Sequence, residues 1–485
     1  DADIYLFNHF EIYFGIKDSL LVTFEVFDTV QSKKIIKLMS PNETICFKLN
    51  DLLPERQGAS GITVYVDHPS LTRGRHYRWR FFADIYKGDS IASLHGAHDL
   101  RGNDVFTTFS ISKSGHGEGK VQMTLPNFQL DMADPKVVCI NGEAQANYLR
   151  NNTQRIDDIS FQLPANEADA NKDLCGCHFQ GYGGSFWYAY TSTGSEHYSL
   201  SSNHSVGRPY PLFPEETSFS EQPHFKSLKD KGYVFWPYPV PVTSKNSEVE
   251  YGISFSETYP LVSNLRILFF DINGQMLKDT SFKITEQKPL YTDEILAVFP
   301  EIQDQAAMIM FAPEMDDVRV SKPARWSANV NFYARLRATL DFDITEFQSA
   351  WRNIGTNIKE FPHWIAPPMS YLGRSNLYGR AVSKPDMKTA LLLVNASGYL
   401  GYDLPAEVKV TLFDKSKQIE SVDLKMDAFT HKFIWLDELF NDLDKKLGRS
   451  GYGAVLIQSK NADINAQMVS RYKDKGLSFQ HLWGY

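Results

Sequence analysis

Cysteine is scarce, with 4 residues in 485: Cys46, Cys139, Cys175 and Cys177. Four thiols cannot staple a chain of this length, so the fold must rest on apolar cores rather than on a disulfide framework. No apolar run approaches the roughly 18 residues that a bilayer-crossing helix needs. The best runs, Ala306 to Pro313 and Ala390 to Val394, are of strand length. Long basic tracts are missing as well, and the formal net charge is −8, so nothing draws the chain as a whole to a phosphate backbone or an anionic surface. Neither nucleic acid nor a membrane span is expected. The leading residues Asp1-Ala2-Asp3-Ile4-Tyr5 show no basic start and no apolar stretch, so no signal peptide is visible and the compartment stays open. The sequons at Asn42, Asn151, Asn203 and Asn395 do not decide it, because N-x-[ST] is frequent by chance.

Familiar catalytic patterns are missing too. The stretch Gly115-His116-Gly117-Glu118-Gly119-Lys120-Val121 has the glycines and lysine of a phosphate loop, but neither the G-x₄-G-K spacing nor the following Ser or Thr. No G-x-S-x-G elbow, H-E-x-x-H pair or dinucleotide fingerprint is found. The common hydrolase, metalloprotease and Rossmann classes are therefore not indicated.

What the chain does have is aromatic side chains: 13% of residues, with 33 Phe and 24 Tyr. Rings suit the half-buried pleated surface of a strand, which tilts the expectation toward β structure. Hydrophobic residues at 42% and charged residues at 22% are ordinary globular values. A chain of this length is expected to divide into two to four domains.

Internal similarity is the strongest signal. Three phrases end alike: LVTFEVFD at Asp28, SNLRILFFD at Asp271 and EVKVTLFD at Asp414. Counting back from each Asp, positions −1, −2, −4 and −6 are apolar in all three, as in Phe27, Val26, Phe24 and Val22, whereas −3 and −5 are mostly polar. Alternation at period two predicts a strand with one buried face. The Asp and the polar residues after it predict a hairpin turn. In the first and third copies the match continues downstream, pairing Ile36 with Val422, Leu38 with Leu424, Phe47 with Phe433, Leu49 with Trp435 and Leu53 with Leu439. A short helix is expected next, clearest where Leu436, Leu439, Phe440, Leu443 and Leu447 recur at helical spacing before Gly448. Buried strands should follow at Ile62 to Val66, Ala307 to Phe311 and Ala454 to Ile457. The Pro-rich lead-ins FWPYPVPV (Phe235 to Val242) and HWIAPPMSYLG (His363 to Gly373) suit edge strands and linkers.

The expected fold is thus mainly β: three tandem, related, antiparallel β-sandwich (jelly-roll-like) units with short helices, over residues 1–100, 230–358 and 359–485. Residues 101–229, rich in Gly, Ser, Asn and aromatic rings, are expected to form a long irregular insertion or accessory β region with some strands, among them Val121 to Leu125 and Phe186 to Tyr190.

Candidate chemistry gathers in and beside that insertion. Cys175, Cys177 and His178 offer two thiolates and an imidazole for iron or zinc, although structural zinc sites use C-x₂₋₄-C and a second pair. Their alternative is a disulfide with Cys139, or small residues in a loop. His95, His98 and Asp99 carry the ligand types of a non-haem iron or zinc centre, with His116, His197, His204, His363 and His481 available to complete it. Solvated or hydrogen-bonded histidines are the plainer reading. Tyr182, Phe186, Trp187, Tyr188 and Tyr190 alternate with glycine and small residues, so they could stack on a sugar or enter a partner's pocket. Filling one strand's core is their plainer role.

The leading expectation is a non-catalytic binding or structural protein, presenting β-sandwich surfaces to a carbohydrate or a protein partner, with a homo-oligomer as a further possibility. Repeated modules more often build surfaces than active sites. The competing class is a metal-dependent enzyme using a transition metal, iron or zinc, held by the His, Asp and Cys ligands of the 95–204 region.

Overall fold

A computed structural model describes residues 1–57, 60–67 and 81–95, the backbone of strands between 105 and 218, most of 230–353 and most of 375–482. The protein is mainly β, built of several antiparallel sheets with a few short helices.

The N-terminal segment contains β1 (Ala2–Phe7), α1 (Phe10–Phe14), β2 (Leu20–Phe27), β3 (Ser32–Met39), β4 (Thr44–Lys48), α2 (Leu49–Leu52), β5 (Gly61–Asp67), β6 (Phe81–Lys87) and β7 (Ser90–His95). They form two sheets, ordered β4-β1-β6-β7 and β3-β2-β5. In β2, Leu20, Val22, Phe24 and Val26 are buried while Leu21 is exposed, as period-two alternation requires. Leu20, Val22 and Phe24 meet Ile4, Leu6 and Phe81 of the other sheet in one apolar cluster, and Val26 packs with Leu52 and Leu53.

Residues 105–218 hold β8 (Val105–Thr108), β9 (Gly119–Pro126), β10 (Lys136–Cys139), β11 (Tyr148–Asn152), β12 (Ile156–Leu163), β13 (Leu174–Phe179), β14 (Trp187–Ser192), β15 (Ser199–His204), β16 (Gly207–Arg208) and β17 (Glu216–Ser218). Two sheets arise, β10-β13-β8-β16 and β11-β12-β9-β14-β15. This stretch is richer in strands than its composition suggested. Segments such as Ser199–His204 (SLSSNH) lack the apolar alternation by which a strand is recognised in a sequence.

The middle segment runs through β18 (Tyr238–Pro241), β19 (Val249–Tyr259), β20 (Asn264–Phe270), β21 (Met276–Lys283), β22 (Leu290–Tyr291), α3 (Thr292–Val298), β23 (Met308–Pro313), β24 (Arg319–Ser321), β25 (Arg325–Leu336), β26 (Phe342–Ser349) and β27 (Arg352–Asn353). The C-terminal segment has β28 (Ser375–Lys384), β29 (Met387–Asn395), β30 (Ala406–Phe413), β31 (Gln418–Met426), β32 (Thr430–Trp435), α4 (Leu436–Leu439), α5 (Leu443–Leu447), β33 (Tyr452–Ser459), β34 (Ile464–Tyr472) and β35 (Gly476–His481). In the middle segment β18-β23-β20-β21 and β22-β19-β25-β26 are the sheet orders. In the C-terminal segment the corresponding pairings are β28-β33-β30-β31 and β32-β29-β34-β35. Each Phe-Asp strand therefore lies between the strand that follows its turn and a later strand: β2 between β3 and β5, β20 between β21 and β23, β30 between β31 and β33. As its prolines require, β18 occupies a sheet edge. The Pro-rich lead-in 363–373 lies outside the described residues.

Two details differ from the sequence reading. The helical spacing after Trp435 yields two short pieces, α4 and α5, interrupted where Asp442 takes φ 57°. The pairing of Ile36 with Val422 and of Leu38 with Leu424 also fails. β20–β21 and β30–β31 each carry a bulge, at Leu277 and Ile419, that β2–β3 does not have. One extra residue moves every later side chain to the other face. Val422 lies opposite Val410 and packs on the core, whereas Ile36 lies opposite Thr23 and faces outward.

The segments pack on one another. One apolar cluster joins Leu268, Phe270 and Met310 of the middle segment to Leu392, Val469 and Phe479 of the C-terminal one. A second joins Tyr5, Phe7, Phe82 and Ile91 to Tyr378, Val382 and Leu456. β7 and β35, the last strands of the outer segments, come together with β26 of the middle one.

Candidate functional site

Ionisable side chains among the described residues are spent mainly on one another. Where the N-terminal segment meets β28, Asp84 and Arg380 are buried together. Arg380 Nε donates to Asp84 Oδ2 at 2.8 Å, and its Nη2 donates to the hydroxyls of Ser93 and Ser470 at 2.7 Å each. The Ser93 hydroxyl in turn donates to Asp84 Oδ1 at 2.6 Å. Burial raises the Asp84 carboxyl above its ordinary range, and the Arg380 guanidinium and the Ser93 donor oppose that rise. Beside them, Lys384 Nζ donates to Asp3 Oδ2 at 2.9 Å, and the Tyr86 hydroxyl donates to the same oxygen at 3.3 Å. Such a network closes a seam; it presents no free acid or base to a substrate.

A second cluster lies on β19, β25 and α3. Arg335 Nε donates to Glu250 Oε2 at 2.7 Å while its guanidinium stacks 3.6 Å from the Tyr291 ring centroid. The other Glu250 oxygen accepts the Asp293 backbone N–H at 3.0 Å, and Arg337 pairs with Asp293. Each charge again has its partner.

The outward face of β3-β2-β5 is of another kind. Its cross-strand rows are Leu38–Leu21–Asp67, then Ile36–Thr23–Tyr65, then Lys34–Glu25. Leu21, Ile36, Leu38 and Tyr65 are exposed at 42%, 67%, 63% and 53%. The matching rows elsewhere are polar. Asn264 lies opposite Lys283 and Arg266 opposite Ser281, with Arg266 Nη2 donating to Asp279 Oδ2 at 2.6 Å. Glu407 lies opposite Lys425, Lys409 opposite Asp423, and the Thr411 and Ser421 hydroxyls are 2.9 Å apart. At three positions, Leu21, Ile36 and Leu38, the N-terminal sheet carries large apolar side chains where both counterparts are polar or charged; Tyr65 matches Ala312 and Gln458. Clustered exposed apolar surface of this sort marks interaction sites. Of the three lysines on β3, Lys34 shares this face, whereas Lys33 and Lys37 lie opposite the buried Val26 and Val22. Lys34 lies 3.7 Å from Glu25, and Lys37 lies 3.2 Å from Glu43. Ile36 and Leu38 could not be assigned to this face from sequence, because the side they occupy depends on whether a bulge precedes them.

Of the residues singled out from sequence, His95 ends β7, with its backbone opposite Phe82. His98 and Asp99 lie outside the described residues. Cys175, Cys177 and His178 all lie on β13, where Cys177 is opposite both Val137 and Thr107, and His178 opposite Lys136 and Phe106. Cys139 ends β10 opposite Leu174. Trp187, Tyr188 and Tyr190 lie on β14, between β9 and β15; Tyr182 and Phe186 lie outside the described residues. Among the described residues, no group of three or more His, Cys, Asp or Glu side chains is placed to hold a metal ion.

No protein-family model matches the chain, and no curated protein is significantly similar to it.

Proposed function

We propose that this chain is a non-catalytic binding or assembly protein made of three tandem, related β-sandwich units, which offers its N-terminal sheet face to a protein partner. The observation that carries the reading is the contrast between exposed Leu21, Ile36 and Leu38 and the polar or charged side chains in the same places on the other two units. Three copies of one pairing order, each with an Asp closing the same turn, support a duplicated module. The rings of Trp187, Tyr188 and Tyr190 keep a carbohydrate as the second ligand class for the 105–218 region.

Cross-linking mass spectrometry in extract from the native host tests the face. Lys34 of the wild type should give intermolecular cross-links to one recurrent partner, and an Ile36→Lys, Leu38→Lys double variant should lose them while retaining the wild-type unfolding curve. Cross-links indifferent to that variant would end the proposal. So would elemental analysis showing one tightly held iron or zinc per chain that disappears when His95 and His98 are replaced.

A further inference from the structure

The middle and C-terminal segments run through one set of strand pairings. In the middle segment β18 pairs with β23, β23 with β20, β22 with β19, β19 with β25 and β25 with β26. The same five in the C-terminal segment are β28 with β33, β33 with β30, β32 with β29, β29 with β34 and β34 with β35. Residues 105–218 repeat all five, antiparallel and in the same chain order: β8 with β13, β13 with β10, β12 with β9, β9 with β14 and β14 with β15. One strand departs from the pattern. β11 follows β10 as β21 follows β20, but it pairs with β12. The sequence carries a trace of the match, since Cys139-Ile140-Asn141-Gly142 after β10 parallels Asp271-Ile272-Asn273-Gly274 after β20. Lacking the Asp, this copy of the turn is silent in a search for Phe-Asp.

The joints between segments repeat as well. Tyr5 lies opposite Phe82, itself opposite His95, as Leu392 lies opposite Gln467, itself opposite His481. Tyr5 therefore matches Leu392, Phe7 matches Val394, and Ile91 matches Leu477, each of the last pair four residues before its histidine. Tyr5, Phe7 and Ile91 belong to the apolar cluster that joins the N-terminal segment to the C-terminal one. Leu392, Val394 and Leu477 belong to the cluster that joins the C-terminal segment to the middle one. The Asp turns meet matching residues too: the Asp414 turn reaches Thr44 at the start of β4, and the Asp271 turn reaches Thr430 at the start of β32. One head-to-tail joint used twice implies one rotation applied twice, and such joints either close into a ring or run on. Here the last strands close: β15 lies beside both β7 and β26, and β35 lies beside the same two.

We propose that residues 105–218 are a fourth copy of the module and that the four copies close a ring, each seated on the copy before it at the position of Ile91 and Leu477. In the fourth copy that position is Leu200, four residues before His204, which lies opposite Trp187 as His95 lies opposite Phe82. The pairs of Arg380 with Asp84 and Lys384 with Asp3 are then the ring's closing joint, between the last copy and the first. This goes beyond the three-unit reading and sharpens it. A ring spends one sheet of each copy on its joints, and the other sheet, which in the first copy carries Leu21, Ile36 and Leu38, is left to a partner at one copy in four.

Val30, Asn273 and Ser416 hold one position, since the backbone N–H of each donates to Oδ1 of its Asp, and all three are exposed. Cysteines placed there two at a time, in the full chain with its 4 native cysteines replaced by serine, carry spin labels for pulsed electron resonance. In a ring of four the 30–416 and 273–416 distances should agree, and the 30–273 distance should be about 1.4 times as long, because those copies stand across the ring. Three equal distances would mean a ring of three with 105–218 outside it, and would overturn the proposal. Leu200→Asp should widen the 30–273 distribution and leave 273–416 as it is, whereas Leu200→Met should change neither. A Leu200→Asp chain with wild-type distances overturns the seat. Melting scans confirm that the labelled chains fold. The Ile36→Lys, Leu38→Lys variant should keep all three distances, so failure of the ring and failure of the partner face are read separately.

Discussion

Asp28 accepts four hydrogen bonds: from the backbone N–H of Val30 and Gln31 on Oδ1, and from the Gln57 N–H and the Gln31 side-chain amide on Oδ2. Burial alone would push its carboxyl up, but the donors outweigh it and bring the pKa down to about 2. Its counterparts Asp271 and Asp414 each accept two N–H groups, at more exposed positions. Losing a buried charged acceptor of four hydrogen bonds is costly, so Asp28→Ala should lower stability by about 2 kcal/mol, and Asp414→Ala by about 1 kcal/mol or less, where water replaces the lost partner. Urea denaturation of both variants measures the difference. Because the folded pKa lies below the unfolded value of roughly 3.9, the Asp28 contribution is complete above that value. It fades as pH falls toward 2, and the Asp28→Ala variant should lack that part of the acid transition. The turn role of all three aspartates was legible from the Phe-Asp phrase. The depth of Asp28 was not, because the Gln57 donor arrives from a residue 29 positions away.

At the scale of the strand, alternation identified β2, β20 and β30, since their buried faces repeat every second residue. It could not reveal the bulges. Leu277 and Ile419 are unremarkable residues in polar strands, and their effect is seen only in the partners opposite them. The consequence is large: Val422 and Leu424 support the core, while Ile36 and Leu38 form the exposed face. Deleting Ile419 should bring β31 into the β3 register, turning Val422 and Leu424 outward and Ser421 and Asp423 inward. A loss of several kcal/mol is expected, at the upper end of single-site effects. Increased binding of an apolar dye, compared with deletion of a residue from the Ser416–Lys417 turn, checks it.

Across the molecule, the seam between β6, β7 and β28 holds the most consequential buried charge. Arg380 was invisible as such in the sequence: it sits inside LYGRAV, a run that reads as an ordinary strand, and its partner lies 296 residues away. Arg380→Met should cost about 3–5 kcal/mol, because Asp84 is left buried without its counter-charge. Adding Asp84→Leu should recover much of that loss, the sign of a cycle between contacting residues. Chemical denaturation of the single and double variants reads both. A second junction is aromatic: Phe270 stacks on Phe429 with centroids 4.6 Å apart and planes 6° from parallel. Gly274, at φ 77°, brings the Asp271 turn against the Ala428 carbonyl, where a Cβ would collide. The Asp271 turn docks on residues just before β32, and the Asp414 turn reaches β4, where Thr44 N–H donates to the Lys415 carbonyl at 2.6 Å. The turns after β20 and β30 thus each form a joint to a neighbouring segment, a relation that no periodicity along the chain encodes.

Cys46 sits on β4 opposite Tyr5 and beside that seam, its thiol pushed up to about 12 chiefly by burial. A sulfur kept protonated is a poor nucleophile, so in the closed molecule it resists alkylating reagents at neutral pH. Should the N-terminal segment part from the C-terminal one, that sulfur is expected to regain an ordinary acidity and react. Cys46 is in this way a built-in clock: the rate at which a maleimide finds it, read on the tryptic peptide that contains it, counts how often the two ends of the chain let go of each other.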